Sequence, residues 1–261
     1  MAAAFHPGIG MEYDVLYLIL LVVSGIAAGF VNTIAGGGSI FTLPALMLLG
    51  IPADVANGTN RVGVVMQSFA AVWRFRKHDK LDQQAMLPIL MPTIVGALIG
   101  SLVASVIPVD VLKPLLLGTM VAMTLLIVLK PSTIPSETET AFRVREKPSA
   151  VGWLFLSGVY GGFVQAGVGF ILLTALAGVL RYDLVRANAL KMLCTMVFSL
   201  AALAVFIVQD QVLWIPGLIM GVSTIIGVHF SVKFAVTAKQ TTLKWALLTM
   251  AILVCTAALF S

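Results

Sequence analysis

Arg61 and Lys191 are the residues of this chain whose type and place most invite chemistry, because each is a cation set several positions inside an apolar segment. A charge there is costly and survives only against a cavity, a bound anion or a nearby interface. Both come with amides. Asn57 and Asn60 precede Arg61 in NGTNR, residues 57–61, and Asn188 precedes Lys191 in NALK, residues 188–191. An offset of 131 carries Asn57 onto Asn188 and Asn60 onto Lys191. Amides offer two N–H donors and a carbonyl acceptor, so a cation flanked by amides suits an oxyanion. The competing reading is snorkelling to the interface, since each cation lies within about two turns of its segment's start.

A second set of groups sits where the apolar pattern breaks. Gly36, Gly37 and Gly38 interrupt GFVNTIAGGGSIFTLPALMLLG, residues 29–50, and Gly167 and Gly169 interrupt QAGVGF, residues 165–170. After the first break, residues 39–49 would cover about 17 Å of a hydrocarbon core about 30 Å thick. A helix that ends at the surface near Gly50 therefore begins inside the membrane. Free N–H groups and the positive dipole end would face inward there, which is an anion site. A glycine-rich close-packing turn is the alternative. Asn32 and Gln165, matched by an offset of 133, precede the two breaks. Their amides either donate to an oxyanion or satisfy carbonyls freed by the break. Thr33 and Ser39 add hydroxyls, although hydroxyls in membrane helices commonly bond back to their own backbone.

Other chemistry is poorly supported. Glu12, Asp14, Asp54, Asp110, Asp183 and Asp210 all fall near segment ends, so no carboxylate stands ready for a proton relay or an oxygen-ligand cation site. His229 lies well inside a late segment and is a candidate for proton coupling together with Lys191; a hydrogen-bonded structural role is the alternative. Cys194 and Cys255 fall in apolar segments and suggest neither a disulfide nor a metal. No hydrolase, kinase or redox motif is present, so an enzyme is not expected, and neither a metal nor any other cofactor is.

The elements that must position these groups follow from composition. With 60% hydrophobic and 10% charged residues over 261 positions, and a mean hydropathy of +1.06, the chain cannot coat a soluble globule. It reads as an all-α polytopic membrane protein partnered by a lipid bilayer. The formal charge of +5 reflects Lys and Arg in short inter-segment loops, which argues for topology and against nucleic acid. The first eleven residues lack the basic start of a cleavable signal, so the first segment is expected to be retained. Apolar periods give ten segments, at 13–35, 39–50, 54–75, 83–106, 110–129, 150–167, 169–180, 184–208, 212–234 and 241–260. Eight are long enough to span and two, the second and seventh, are half-membrane helices.

The polar stretch PSTIPSETETAFRVREKP, residues 131–148, reads as a cytoplasmic linker between halves at 1–130 and 149–261. GIAAGFVN at 25–32 matches GVYGGFVQ at 158–165, and Gly96 and Gly100 correspond in order to Gly217 and Gly221. Each glycine pair alone would mean close helix packing. Their ordered recurrence points to an internal repeat. Basic loops at Arg74–Lys80, Lys130–Lys147, Arg181–Arg186 and Lys233–Lys239 belong inside, which puts both termini outside. Five segments is an odd number, so the two repeats have opposite topology. Inverted repeats with broken helices are a transporter signature, with the ligand near mid-membrane.

The first-half motif GFVNTIAGGGSIFTLPALMLLGIPADVANGTN, the second copy GGFVQAGVGF and the RANALKML segment resemble the TauE/SafE family of sulfite-exporter-like membrane proteins over nearly the whole chain. The resemblance implies a bacterial inner-membrane permease that exports sulfite, sulfoacetate or a related C2 or C3 organosulfonate. Other small anions, and a non-transporting scaffold, are the competing functions. No motif separates sulfite from an organosulfonate or fixes an oligomeric state.

Overall fold

The computed structural model describes residues 15–116, 118, 141–239, 242, 245 and 246, and every regular element among them is helical. Helix α1 (Val15–Ile34) is followed by α2 (Ser39–Leu48), α3 (Ala53–Lys77), a 3-10 turn at Gln83–Ala85 and α4 (Met86–Val106). Then come α5 (Ser149–Phe163), α6 (Val168–Leu173), which continues as a π-helical stretch at Thr174–Val179, α7 (Leu184–Val208) and α8 (Trp214–Thr237). Residues 109–116 are also helical. The remainder of the segment expected at 110–129, most of that expected at 241–260, the first part of the linker, both termini and Cys255 lie outside the described residues.

Helices α1, α4, α7 and α8 are long and apolar enough to cross a membrane. Their outer faces show why. On α4, Met91, Val95, Leu98 and Leu102 are exposed, and on α8 Leu218, Val222 and Ile226 are. That spacing is one helical stripe, and an apolar stripe facing outward is what lipid requires. The opposite face of α4 buries Thr93, Gly96, Ala97, Gly100, Ser101 and Ala104, small residues that let backbones approach. Helix α3 is different. Its 25 residues reach about 37 Å, yet Asn57, Thr59, Asn60, Arg61, Gln67 and Ser68 are buried along it. Its polarity points inward, so length identifies it as a span where hydropathy alone does not.

Close contacts fix the helix directions. A Cβ on Gly96 would overlap Phe155 O and one on Gly100 would overlap Val159 O, so α4 and α5 are parallel. Gly25 meets Met220 and Gly29 meets Thr224, so α1 and α8 are parallel as well. Gly217 lies against Val62 and Gly221 against Met66, which aligns α3 with α8. At the other end Gln211 Nε2 donates to Asp54 Oδ2 at 3.4 Å and to Ser105 O at 3.2 Å. The start of α3 thus sits beside the ends of α4 and α7. Helices α1, α3 and α8 run one way and α4, α5 and α7 the other. At the far end Tyr182 Oη donates to Asp82 Oδ2 at 3.2 Å, and burial, with the Asp82 charge second, pushes that phenol up to about 12.

The α4–α5 seam gives a first prediction. Gly100→Ala should destabilise the protein by about 1–3 kcal/mol, because the new methyl must force two backbones apart. Gly152→Ala, whose Cβ would meet nothing within 4 Å, should change little. Thermal unfolding of the two variants in detergent compares them directly.

Candidate functional site

A helix that stops inside a protein leaves its last carbonyls without N–H partners and concentrates the negative end of its dipole there. Helix α1 stops just before Gly36 at φ +88°, and α5 just before Gln165 at φ +68°, both left-handed conformations that end a helix. Each end is met by a cation from the other half of the chain. Lys191 Nζ donates to Asn32 O, Thr33 O and Asn188 Oδ1, each at 2.8 Å. Arg61 Nη1 donates to Gly161 O, and its Nη2 donates to Gly162 O at 2.8 Å and to Asn57 Oδ1 at 3.3 Å. Asn57 Nδ2 donates to Phe163 O at 2.9 Å, and the Arg61 guanidinium lies 5.5 Å from the centre of the Phe206 ring.

These contacts overturn snorkelling, for Arg61 is 0% and Lys191 1% exposed. The cations stay inside because helix-end carbonyls replace the water they would otherwise seek. Lys191 spends its three ammonium N–H groups on protein acceptors. Arg61 keeps one donor, Nε, buried and without a partner.

The two breaks touch. Gly169 N–H donates to Gly36 O at 3.3 Å, and a Cβ on either glycine would overlap the other's Cα. In the first break Gly36 N–H donates back to Val31 O at 3.2 Å, and the next donors used are Ile40 N–H to Gly37 O at 3.1 Å and Phe41 N–H to Gly38 O at 3.0 Å. Among the described residues the N–H groups of Gly37, Gly38 and Ser39 have no backbone partner. Asn60 clips this N-terminus to α3, its Nδ2 donating to Ser39 Oγ at 3.1 Å and its Oδ1 accepting from Thr42 Oγ1 at 2.7 Å. A crevice too narrow for a water molecule lies here, lined by Gly38, Ser39, Thr42, Asn60, Gln67 and Thr224. Gln67 Oε1 is buried and unpartnered. In the second break Gly167 takes φ +79° ahead of α6, and Gln165 Nε2 donates to Ser199 Oγ at 3.2 Å.

Most expected residues therefore come together, in differing capacities. Asn32 contributes its carbonyl to Lys191, and the Thr33 hydroxyl turns back to Gly29 O at 2.8 Å. Asn188 supplies an acceptor to Lys191 while its Nδ2 is buried and unpartnered. His229 stands apart. It is exposed on α8 and lines a different cavity with Arg74, His78 and Lys233.

Thr42, Gln67, Ser199, Phe206 and Thr224 are additions. Two were within reach: Ser68 and Ser199 lie 131 apart, as do Thr93 and Thr224, the offset that joins Asn57 to Asn188. The match of Asn32 with Gln165 needs correction. Gly96 faces Phe155 O and Val159 N, whereas Gly227 faces Ile26 O and Phe30 N, so α1 and α5 correspond at an offset of 129. Val31 O accepts from Ala35 and Gly36 N–H as Tyr160 O does from Val164 and Gln165 N–H, at the same offset. Asn32 thus corresponds to Gly161, Gln165 to Gly36, and Gly96 to Gly227, not to Gly217 as the order of the glycine pairs suggests. Glycines four apart let the sequence match slide by one helical turn. The register returns to 131 beyond α6, where six α-helical and six π-helical residues stand against ten in α2. Such π turns are how a helix absorbs extra residues.

Residues 21–258 match the family described as "Sulfite exporter TauE/SafE". The chain is 27% identical over 218 residues to "Probable membrane transporter protein ORF9" of a Sinorhizobium species, spanning 84% of this chain and 83% of that one. It is 26% identical over 237 residues to a "Probable membrane transporter protein" of Haemophilus influenzae, spanning 90% and 91%. With "Probable membrane transporter protein YfcA" of Escherichia coli it shares 27% identity over 227 residues, 86% of this chain and 83% of the relative.

Proposed function

Since this chain belongs to the sulfite exporter TauE/SafE family and is a multi-pass membrane transporter, we propose that it exports a small sulfur oxyanion, sulfite or a C2 or C3 organosulfonate, from the cytoplasm. What supports the site is the meeting of the two breaks: Gly36 against Gly169, beside the N–H groups of Gly37, Gly38 and Ser39, which have no backbone partner among the described residues. Donors from a half-helix N-terminus suit an oxyanion. Asn60, Gln67, Ser39 and Thr224 supply further polar groups around it. Arg61 and Lys191 act by holding the two helix ends in place and by adding positive charge nearby, with Arg61 Nε and Asn188 Nδ2 as donors to spare.

We read the halves at 1–130 and 149–261 as inverted repeats of five segments joined by a cytoplasmic linker at 131–148, with both termini outside a bacterial inner membrane. Opposite directions of α1 and α5, of α3 and α7 and of α4 and α8 support that reading. The crevice, too narrow for water, suits an occluded stage of alternating access. A negative cell interior drives a monoanion outward by about 2.3 kcal/mol per 100 mV, so uniport needs no coupling ion. The exposed place of His229, apart from Lys191, favours uniport over a proton relay between them.

A thermal-shift series on the purified protein tests the substrate class. Sulfite at about 100 times its Kd should add roughly 2.7 kcal/mol of stability, and an organosulfonate should compete with it. Preference for a carboxylate or phosphonate would move the assignment to another small anion. No effect of any of these anions on stability would favour a scaffold.

A further inference from the structure

We propose that the C-terminal ends of α3 and α8 form a second oxyanion site, built for the phosphate-type group of a lipid headgroup or a soluble ion. These helices are parallel, so their last turns finish side by side. Arg74 from α3, His78 at its C-cap, and His229 and Lys233 from α8 line one cavity of about 370 Å³ with Val232 and Thr237. That lies within the roughly 300–1,000 Å³ of small-molecule sites. The cavity shares no lining residue with the crevice at α2.

Charge is the telling feature. Among the described residues no carboxylate lines the cavity, and the nearest acid along the chain is exposed Asp79 in the turn after His78. The Thr237 hydroxyl already donates to Lys233 O at 2.8 Å, so recognition falls to the four basic groups. Cations near helix C-termini also complement the helix dipole, which would account for Arg74 and Lys233 without any ligand. It does not account for Arg74 Nε, which is buried and has no acceptor. A guanidinium edge with one unmet N–H, beside an ammonium and two imidazoles, is the donor set that an oxyanion fits.

The test uses full-length protein in neutral detergent, titrated separately with inorganic phosphate and with dioleoylphosphatidylglycerol, and read by native mass spectrometry and thermal shift. One of the two should bind, and binding should weaken about tenfold in Arg74→Gln and in Lys233→Gln. Phosphatidylglycerol binding alone assigns the site to lipid, and phosphate binding assigns it to a soluble oxyanion. Lys233 is exposed, so Lys233→Gln carries the test should Arg74→Gln fail to fold. Lys239→Gln, a charge change outside the cavity, should bind as the parent does. The proposal is overturned if neither probe binds, if Lys233→Gln binds like the parent, or if Lys239→Gln weakens binding equally.

Discussion

Lys191→Met is expected to destabilise the protein by about 2–5 kcal/mol and to abolish transport. The change keeps the length of the side chain and removes its three donors. Asn32 O, Thr33 O and Asn188 Oδ1 would then lose their shared partner in a place that water does not reach. Each orphaned buried acceptor costs about 1–3 kcal/mol, and Asn188 can recover part of its share by rotating. The end of α1 would no longer be tied to α7, and the first break would lose its fixed position against the second. Lys191→Arg should recover only part of the loss, because a planar fork cannot fill three converging acceptors as an ammonium does. Chemical unfolding in detergent measures the difference, and a Lys191→Met protein as stable as the parent would refute the capping role.

Gly36→Ala should be nearly as damaging, for two separable reasons. At φ +88° an alanine is strained by roughly 1–2 kcal/mol. Its methyl would also overlap the Gly169 backbone, where carbon atoms need about 3.5–4.0 Å. The breaks must move apart, the Gly169 N–H to Gly36 O bond is lost, and overpacking adds about 1–3 kcal/mol. Gly50→Ala is the matched control. It has φ +78° but nothing within 4 Å of its Cβ, so it carries the backbone strain alone. Thermal unfolding should rank the parent above Gly50→Ala and that above Gly36→Ala, while sulfite flux should fall at least tenfold only in Gly36→Ala. Equal losses in the two variants would mean that the contact between the breaks has no special role.

What was legible in the sequence was whatever has a letter. Glycines interrupting an apolar run, and single cations within one, mark Gly36, Gly169, Arg61 and Lys191 without any coordinates. The acceptors of those cations are backbone carbonyls of Asn32, Thr33, Gly161 and Gly162, and a carbonyl looks the same at every position of a sequence. The snorkelling reading of the cations followed from not seeing those helix ends, which take up donors that would otherwise seek water. Register was lost for a related reason, since glycines repeated every turn fit their counterparts nearly as well one turn along. His229 shows a third limit. Hydropathy places it inside a helix, but which face it occupies depends on how α8 is rotated by its packing on α1 and α3.

The most direct test of the anion path is radiolabelled sulfite flux into proteoliposomes at a set membrane potential, with and without a pH gradient. An inside-positive potential should drive uptake, the pH gradient should have no effect, and Gly36→Ala should abolish the signal. Flux equal to that of protein-free liposomes, or flux that follows the pH gradient and ignores the potential, would contradict sulfite uniport through the junction of the two breaks.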